Sequence, residues 1–122
     1  MGFKISKIEE NIIRFDMLGD FDAEDASACF NQTTALFAEA ALRGKKLHVY
    51  VDTTQFGNMS VEGRRMFSKM NKDERQGSVA MVGVNRILKI MVRFIMVASG
   101  QDNVRFFDNE AQAIKWLKSL DN

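Results

Sequence analysis

The segment Lys46-Leu47-His48-Val49-Tyr50-Val51-Asp52 predicts the central strand of the fold. It contains a run of β-branched, aromatic and other bulky side chains, which is typical of a strand covered on both faces. The segments on either side of it alternate between strand-like and helix-like patterns. This alternation predicts an α/β protein in which a mostly parallel central sheet is flanked by helices.

Turn and capping signals give the boundaries of the other elements. Further strands are predicted over residues 5–8, 12–18, 78–82 and 103–107. Four helices are predicted, each after a side chain that can accept a hydrogen bond from the first helical turn: Asp22, Ser60, Asn85 and Asn109. Gly19 is predicted to end the second strand. The resulting order is ββαβαβαβα, in a single domain of residues 1–122.

Residues 86–98 differ from an ordinary surface helix. On a helix, Arg86, Lys89 and Arg93 fall within one narrow stripe, and apolar side chains occupy most of the remaining circumference. A surface helix needs an apolar face of only about 100° to cover a core. The excess predicts contact with another helix, a second subunit, a lipophilic ligand or a membrane surface. The predicted binding residues are Arg86, Ile87, Lys89, Ile90, Met91, Arg93, Phe94, Met96 and Val97.

Composition restricts the function. The 122 residues can bury a core without a metal or a disulfide, and a formal net charge of +1 gives no support for nucleic-acid binding. The lone Cys29 excludes an internal disulfide and fits a reducing compartment. Charged residues interrupt any early apolar run, and residues 86–98 are too few to span a bilayer. We therefore expect a cytoplasmic protein, which could also associate peripherally with the inner face of the membrane.

Charge is distributed unevenly along the chain. Residues 1–44 hold four basic and eight acidic side chains, whereas residues 62–93 hold eight basic and three acidic ones. Such a dipolar surface can steer a partner or an anionic membrane towards the basic half. The simpler alternative is a solvated charged face.

Three segments resemble the SpoIIAA-like family, a branch of the STAS fold of anti-sigma-factor antagonists. They are Gly19-Asp20-Phe21-Asp22-Ala23-Glu24-Asp25, Val51-Asp52 with Phe56-Gly57, and Val104-Arg105-Phe106-Phe107-Asp108 with Ala113, Trp116 and Leu117. Their order and spacing extend the resemblance over nearly the whole chain. The resemblance implies a STAS-like fold. Because the family is similar in shape to CRAL-TRIO lipid carriers, it also implies binding of lipophilic molecules and association with membranes.

The resemblance also identifies a candidate regulatory loop, formed by Asp52, Phe56, Ser60 and Glu62. The better-known STAS relatives are phosphorylation switches, and the resemblance implies that Glu62 occupies their phosphorylated position. This departure argues against partner switching. Ser60 is either a phosphate acceptor at a helix N-terminus or a plain N-cap, and the N-cap is favoured. Asp52 is either a ligand-binding residue at a strand end or the centre of an Asx-turn.

Catalytic signals are weak. One histidine and one cysteine cannot form a metal cluster of familiar spacing, and no nucleophile elbow or phosphate-binding glycine loop occurs. His48 is interpreted as a structural histidine and Cys29 as a core residue. The sequence therefore predicts no catalytic residue, no metal and no cofactor.

These observations predict a non-enzymatic module that binds a lipophilic small molecule or an anionic membrane surface through residues 85–98, and no nucleic acid. In this hypothesis the helix is a movable flap that closes a pocket, while Ile90, Met96 and Val97 meet lipid tails. The alternative is a STAS-type regulatory module that binds a protein partner, or a homodimer, through the same helix. An enzyme that uses Asp52 and the loop to Ser60 ranks third.

Overall fold

A computed structural model describes residues 2–120 of the chain. The elements are β1 (Phe3–Glu9), β2 (Ile12–Phe21), α1 (Ala23–Leu42), β3 (Leu47–Met59), α2 (Val61–Asn71), β4 (Gln76–Val82), α3 (Arg86–Ser99), β5 (Val104–Phe107) and α4 (Glu110–Ser119). The five strands form one sheet in the order β1-β2-β3-β4-β5. β1 pairs with β2 antiparallel, and the other three pairs are parallel. The predicted element order and the mostly parallel sheet are confirmed.

The two faces of the sheet have separate apolar cores, because successive side chains on a strand point to opposite faces. Leu47, Val49 and Val51 on the central strand join the larger core, which also receives buried side chains from α1, α2 and α3. Tyr50 points the other way and packs with Leu117 of α4 in the smaller core. Burial of the central strand on both faces explains its nearly continuous run of bulky residues.

Two strands extend further than the sequence predicts. Gly19 does not end β2, which continues to Phe21, because a glycine accepts the φ of 96° found there without a steric cost. Asp52 does not end the central strand, since β3 continues to Met59 beside β2. The register shifts twice along this extension, and β4 already ends at Val82 opposite Asp52. The extension is therefore a two-stranded ribbon of β2 and β3 alone.

The N-terminus of α1 is fixed by a capping box, as predicted. Asp22 accepts a hydrogen bond from the backbone N–H of Asp25, and Asp25 accepts one from the backbone N–H of Asp22. The buried Asp25 carboxylate also accepts a bond from the N–H of Gly2, with N···O at 3.0 Å. Burial raises the pKa of Asp25, but these backbone donors outweigh it and leave the pKa below the ordinary value. The carboxylate therefore ties the start of the chain to α1.

Candidate functional site

α3 is a well-delimited helix at the edge of the larger core. The side chain of Asn85 accepts a hydrogen bond from the N–H of Leu88 at 2.8 Å, which satisfies a free donor of the first turn. The helix ends at Gly100, whose φ of 71° is left-handed and favours glycine. Both ends of the 14-residue helix are thus set by local signals.

The inner face of α3 needs few residues to close the core. Leu88 and Val92 are buried, and Met91, Ile95 and Met96 are half-buried. Met96 packs against the larger core, so it does not lie on the outer surface, where the lipid hypothesis placed it. The reason is rotational: Met96 lies one turn beyond the buried Val92 and shares its side of the helix.

The outer face of α3 carries an unbroken row of large apolar side chains, which we call the apolar strip. Its members are spaced by three or four residues and lie on one line along the helix. They are Ile87 (77% exposed), Ile90 (48%), Phe94 (71%) and Val97 (82%). Single exposed apolar residues are common on protein surfaces, but a contiguous row of large apolar side chains is unusual.

Basic side chains border the apolar strip on both sides. Arg86, Lys89 and Arg93 form one row, and the Lys89 ammonium lies 5.1 Å from the centre of the Phe106 ring of β5. Arg64 and Arg65 of α2 form the other. Within residues 2–120 no ion pair joins any of these five cations to a carboxylate. The strip is therefore bordered on both sides by basic side chains that form no ion pair within the described residues.

An open groove of about 500 Å³ runs between α2 and α3. Met91 and Ile95 are half-buried and line it beside the more exposed Ile90 and Phe94. The remaining lining residues described are Val61, Arg64, Arg65, Ser68, Ile87 and Ala98. None of these lining residues is acidic, and Val61 places one end of the groove directly after Ser60. The groove and the apolar strip thus form one continuous surface.

A second, smaller space lies beneath the same helices. This cavity has a volume of about 90 Å³ and lies between the sheet and the inner sides of α2 and α3. Its walls are almost entirely apolar, with Thr33, Asn71 and Gln76 as the polar members. The Asn71 side chain is already bonded to Ser99 and Gln76. An apolar cavity of ~150 Å³ accepts benzene, so this one is too small for a lipid chain unless α3 moves.

The predicted regulatory residues do not lie on a loop. Asp52 and Phe56 belong to β3, Ser60 caps α2, and Glu62 is an exposed residue of the first turn of α2. The correction follows from the ribbon, which keeps the backbone of β3 paired up to Met59. The Ser60 hydroxyl accepts a hydrogen bond from the N–H of Gly63 at 3.0 Å, so Ser60 acts structurally as an N-cap.

The Asp52 carboxylate is occupied by intramolecular contacts. One oxygen accepts bonds from the N–H and the hydroxyl of Thr54, at 2.9 and 2.6 Å, in an Asx-turn arrangement. The other lies 3.4 Å from the guanidinium of Arg14, which also pairs with Asp16 and with Glu110 of α4. Sequence reasoning missed this network. Its only signal is that Arg14, Asp16 and Asp52 share one face of neighbouring strands.

The remaining titratable candidates serve the core. His48 is buried, and its Nδ1 accepts a hydrogen bond from the N–H of Ser78 at 2.8 Å. Burial, together with the charge of Lys46, lowers the pKa of His48. Burial raises the pKa of the Cys29 thiol to about 12, although its contact with Thr33 opposes this. Among residues 2–120 no group of three His, Cys, Asp or Glu side chains could hold a metal ion.

None of the helices between residues 2 and 120 combines the length and the apolar character needed to cross a bilayer.

The five-stranded sheet of this chain, with one antiparallel edge, three helices on one face and a fourth on the other, is similar in fold to the anti-sigma factor antagonist SpoIIAA. The unphosphorylated form of SpoIIAA superposes with a TM-score of 0.67 at 11% identity, over 97% of this chain and 99% of that one. The phosphorylated form of the Bacillus cell fate determinant SpoIIAA gives 0.60 at 11% identity, over 94% and 98%. A DUF3478-family protein from Shewanella loihica PV-4 with a SpoIIAA-like fold gives 0.64 at 21% identity, over 94% and 91%.

The SpoIIAA-like family profile matches residues 12–118, and the chain therefore belongs to this family. The family assignment made from the three sequence segments is confirmed. No curated protein sequence matches the chain significantly.

Proposed function

We propose that the protein is a non-enzymatic regulatory module that binds a protein partner through the apolar strip and the adjoining groove. The observation that carries this proposal is the exposure of Ile87, Phe94 and Val97, each at 71% or more, on a helix whose core contacts are already made by Leu88 and Val92. Large apolar side chains that the fold does not need are best explained by a partner that covers them.

The family supports a protein partner. The relative with the same fold is described as an anti-sigma factor antagonist, a protein that acts on another protein. Fold alone does not carry function, so the argument for this chain rests on its own surface. Contacts of Asp52, His48 and Cys29 within the fold give no support for catalysis.

Regulation by phosphorylation is not part of the proposal. One Bacillus relative is described in a phosphorylated form. In this chain the resemblance places Glu62 at the corresponding position, and Ser60 uses its hydroxyl to cap α2. Glu62 has no hydroxyl group for a serine kinase to phosphorylate, so we expect partner binding here to be independent of a serine kinase.

A lipid is the second candidate. The basic rows beside the apolar strip suit an anionic surface, where each cation contributes about 1 kcal/mol. The cavity beneath α2 and α3 argues against an internal lipid, because about 90 Å³ is too little for an acyl chain. A homodimer is the third candidate, since the apolar strip could be covered by a second copy.

Paired substitutions separate these candidates. Ile87→Ser with Phe94→Ser removes two of the four side chains of the apolar strip, and Leu42→Ser, on an α1 side chain that is 90% exposed, is the matched control. Proteins cross-linked to the wild-type chain in its native cells are identified, purified and titrated against it by calorimetry. We expect one of these proteins to bind the wild-type chain directly. Its affinity for the double variant should be at least tenfold lower, and its affinity for the control should equal that for the wild-type chain.

The competing outcomes are measured on the same samples. Co-sedimentation with anionic but not neutral vesicles, lost in the double variant, would favour the lipid. In sedimentation equilibrium, a mass that doubles as the protein concentration rises, for the wild-type chain but not for the double variant, would favour the homodimer. If no purified protein binds the wild-type chain directly, the proposal is wrong.

A further inference from the structure

Resting on the proposed function, we infer that the partner segment is an acidic amphipathic helix that lies in the groove between α2 and α3. This inference specifies the chemistry of the partner. It follows from the shape of the groove, from the basic side chains on both of its sides, and from the effect of their charge on the other possible occupants.

The shape of the groove fits a helix. Two neighbouring helices form its walls, and the half-buried Met91 and Ile95 lie deeper than Ile90 and Phe94. The side-chain ridge of a third helix packs into such a groove. The 14 residues of α3 extend over about 21 Å, which matches about four turns of a partner. Apolar residues spaced at i, i+3 or i+4 and i+7 would provide its buried face.

The charge of the borders selects an acidic helix. Arg64 and Arg65 border the groove on the α2 side, and Arg86, Lys89 and Arg93 lie beyond the apolar strip on the other side. A helix with carboxylates on both flanks of its apolar face would meet cations on both sides. The five cations have no carboxylate partner within residues 2–120, so such contacts would replace no existing ion pair.

The same charges disfavour the other occupants. A symmetric dimer places one surface patch against its own copy, which would bring the basic borders of two subunits together. Like charges across an interface cost several kcal/mol. A bilayer surface would meet the protruding Phe94 and Val97 but is too flat to fill the groove above Met91. An acidic amphipathic helix can contact the apolar residues of the groove and the basic side chains on both sides at once.

The probe is a pair of synthetic, fluorescein-labelled 18-residue peptides. Both carry leucines at i, i+3, i+4 and i+7, and the flanking positions are glutamate in one and lysine in the other. Binding to the full chain is measured by fluorescence anisotropy at 50 and 300 mM NaCl. We expect the glutamate peptide to bind at least tenfold more tightly at low salt, and the difference to shrink at high salt because the border charges are screened.

Charge reversal provides the matched test. Arg64→Glu with Arg65→Glu leaves three cations on one side of the groove and places two carboxylates on the other, so the preference for the glutamate peptide should be largely lost. The control, Lys7→Glu with Lys115→Glu, changes the net charge equally at exposed positions on β1 and α4. We expect this control to keep the glutamate preference. Amide chemical shifts of the wild-type chain should change on α2 and α3 when the glutamate peptide is added.

The outcomes distinguish this inference from the proposed function. Equal affinity for both peptides, or shift changes confined to other elements, would overturn the inference. If neither peptide binds while a purified native partner binds through the apolar strip, the inference is wrong and the proposed function stands. Absence of any direct protein partner would instead defeat the proposed function. Binding to anionic vesicles alone, with no peptide bound, would overturn the inference in favour of a membrane.

Discussion

The division of α3 into a buried and an exposed face can be tested by truncating one side chain on each. Leu88 is 3% exposed and lies in the larger core, whereas Phe94 is 71% exposed on the apolar strip. Both residues lie on the same helix, and the two alanine variants differ chiefly in the burial of the side chain that is lost. The comparison shows whether the strip contributes to the fold.

The expected magnitudes follow from that burial. Leu→Ala in a core costs ~2–5 kcal/mol, and Leu88 lines a cavity that its removal would enlarge, so we expect a loss of about 3 kcal/mol. Full burial of a phenylalanine stabilises by ~1.5–3 kcal/mol, so a side chain that is less than one-third covered contributes below about 1 kcal/mol. Alanine also has the higher helix propensity, by up to about 0.7 kcal/mol. We therefore expect Phe94→Ala to leave the free energy of unfolding nearly unchanged.

The assay is guanidinium denaturation followed by circular dichroism, at two protein concentrations tenfold apart. The slope of the free energy with denaturant should be the same for both variants, which permits a direct comparison of midpoints. A loss of more than about 1.5 kcal/mol in Phe94→Ala at both concentrations would refute the reasoning, because the strip would then belong to the fold. A loss that grows with protein concentration would show that a second copy covers the strip.

Three further predictions concern the core. Burial and the charge of Lys46 lower the pKa of His48 in the folded state, so the unfolded chain binds more protons than the folded chain at acidic pH. The free energy of unfolding should therefore fall as the pH drops through about 6.5. In urea titrations, His48→Gln should weaken this dependence of stability on pH. Gly77→Ala should cost ~1–3 kcal/mol, since its Cβ would lie 2.3 Å from His48 Nδ1, and less when combined with His48→Ala in a double-mutant cycle. Cys29, with its pKa raised to about 12, should resist Ellman's reagent until guanidinium unfolds the chain; fast reaction of the native protein would contradict its burial.

Local signals predicted most of the fold. All four helix caps were predicted from sequence, and each makes the expected bond to the N–H three residues later, for example Asn85 to Leu88 and Asn109 to Gln112. Such bonds involve residues so close in sequence that the pattern alone reveals them. The order of strands and helices followed in the same way from hydrophobic periodicity.

Features that depend on distant residues were not predictable in this way. The ribbon beyond Asp52 forms because β2 remains beside β3, a pairing that joins Gly19 to Phe56 across a helix. The groove brings Arg64 beside Phe94, and no local pattern links two helices that β4 separates in the chain. The apolar excess of residues 86–98 indicated a binding surface, but which of its apolar residues face the core became clear only from packing, as Met96 illustrates.

The void beneath α2 and α3 has a consequence for the response of the protein to hydrostatic pressure. Unfolding removes internal voids and so reduces the volume of the system, by some tens of millilitres per mole for a typical domain. A cavity of about 90 Å³ with almost entirely apolar walls lies on one face of the sheet, between the strands and α2 and α3. Pressure therefore favours loosening of α2 and α3 from the sheet, because water can then fill the space between them.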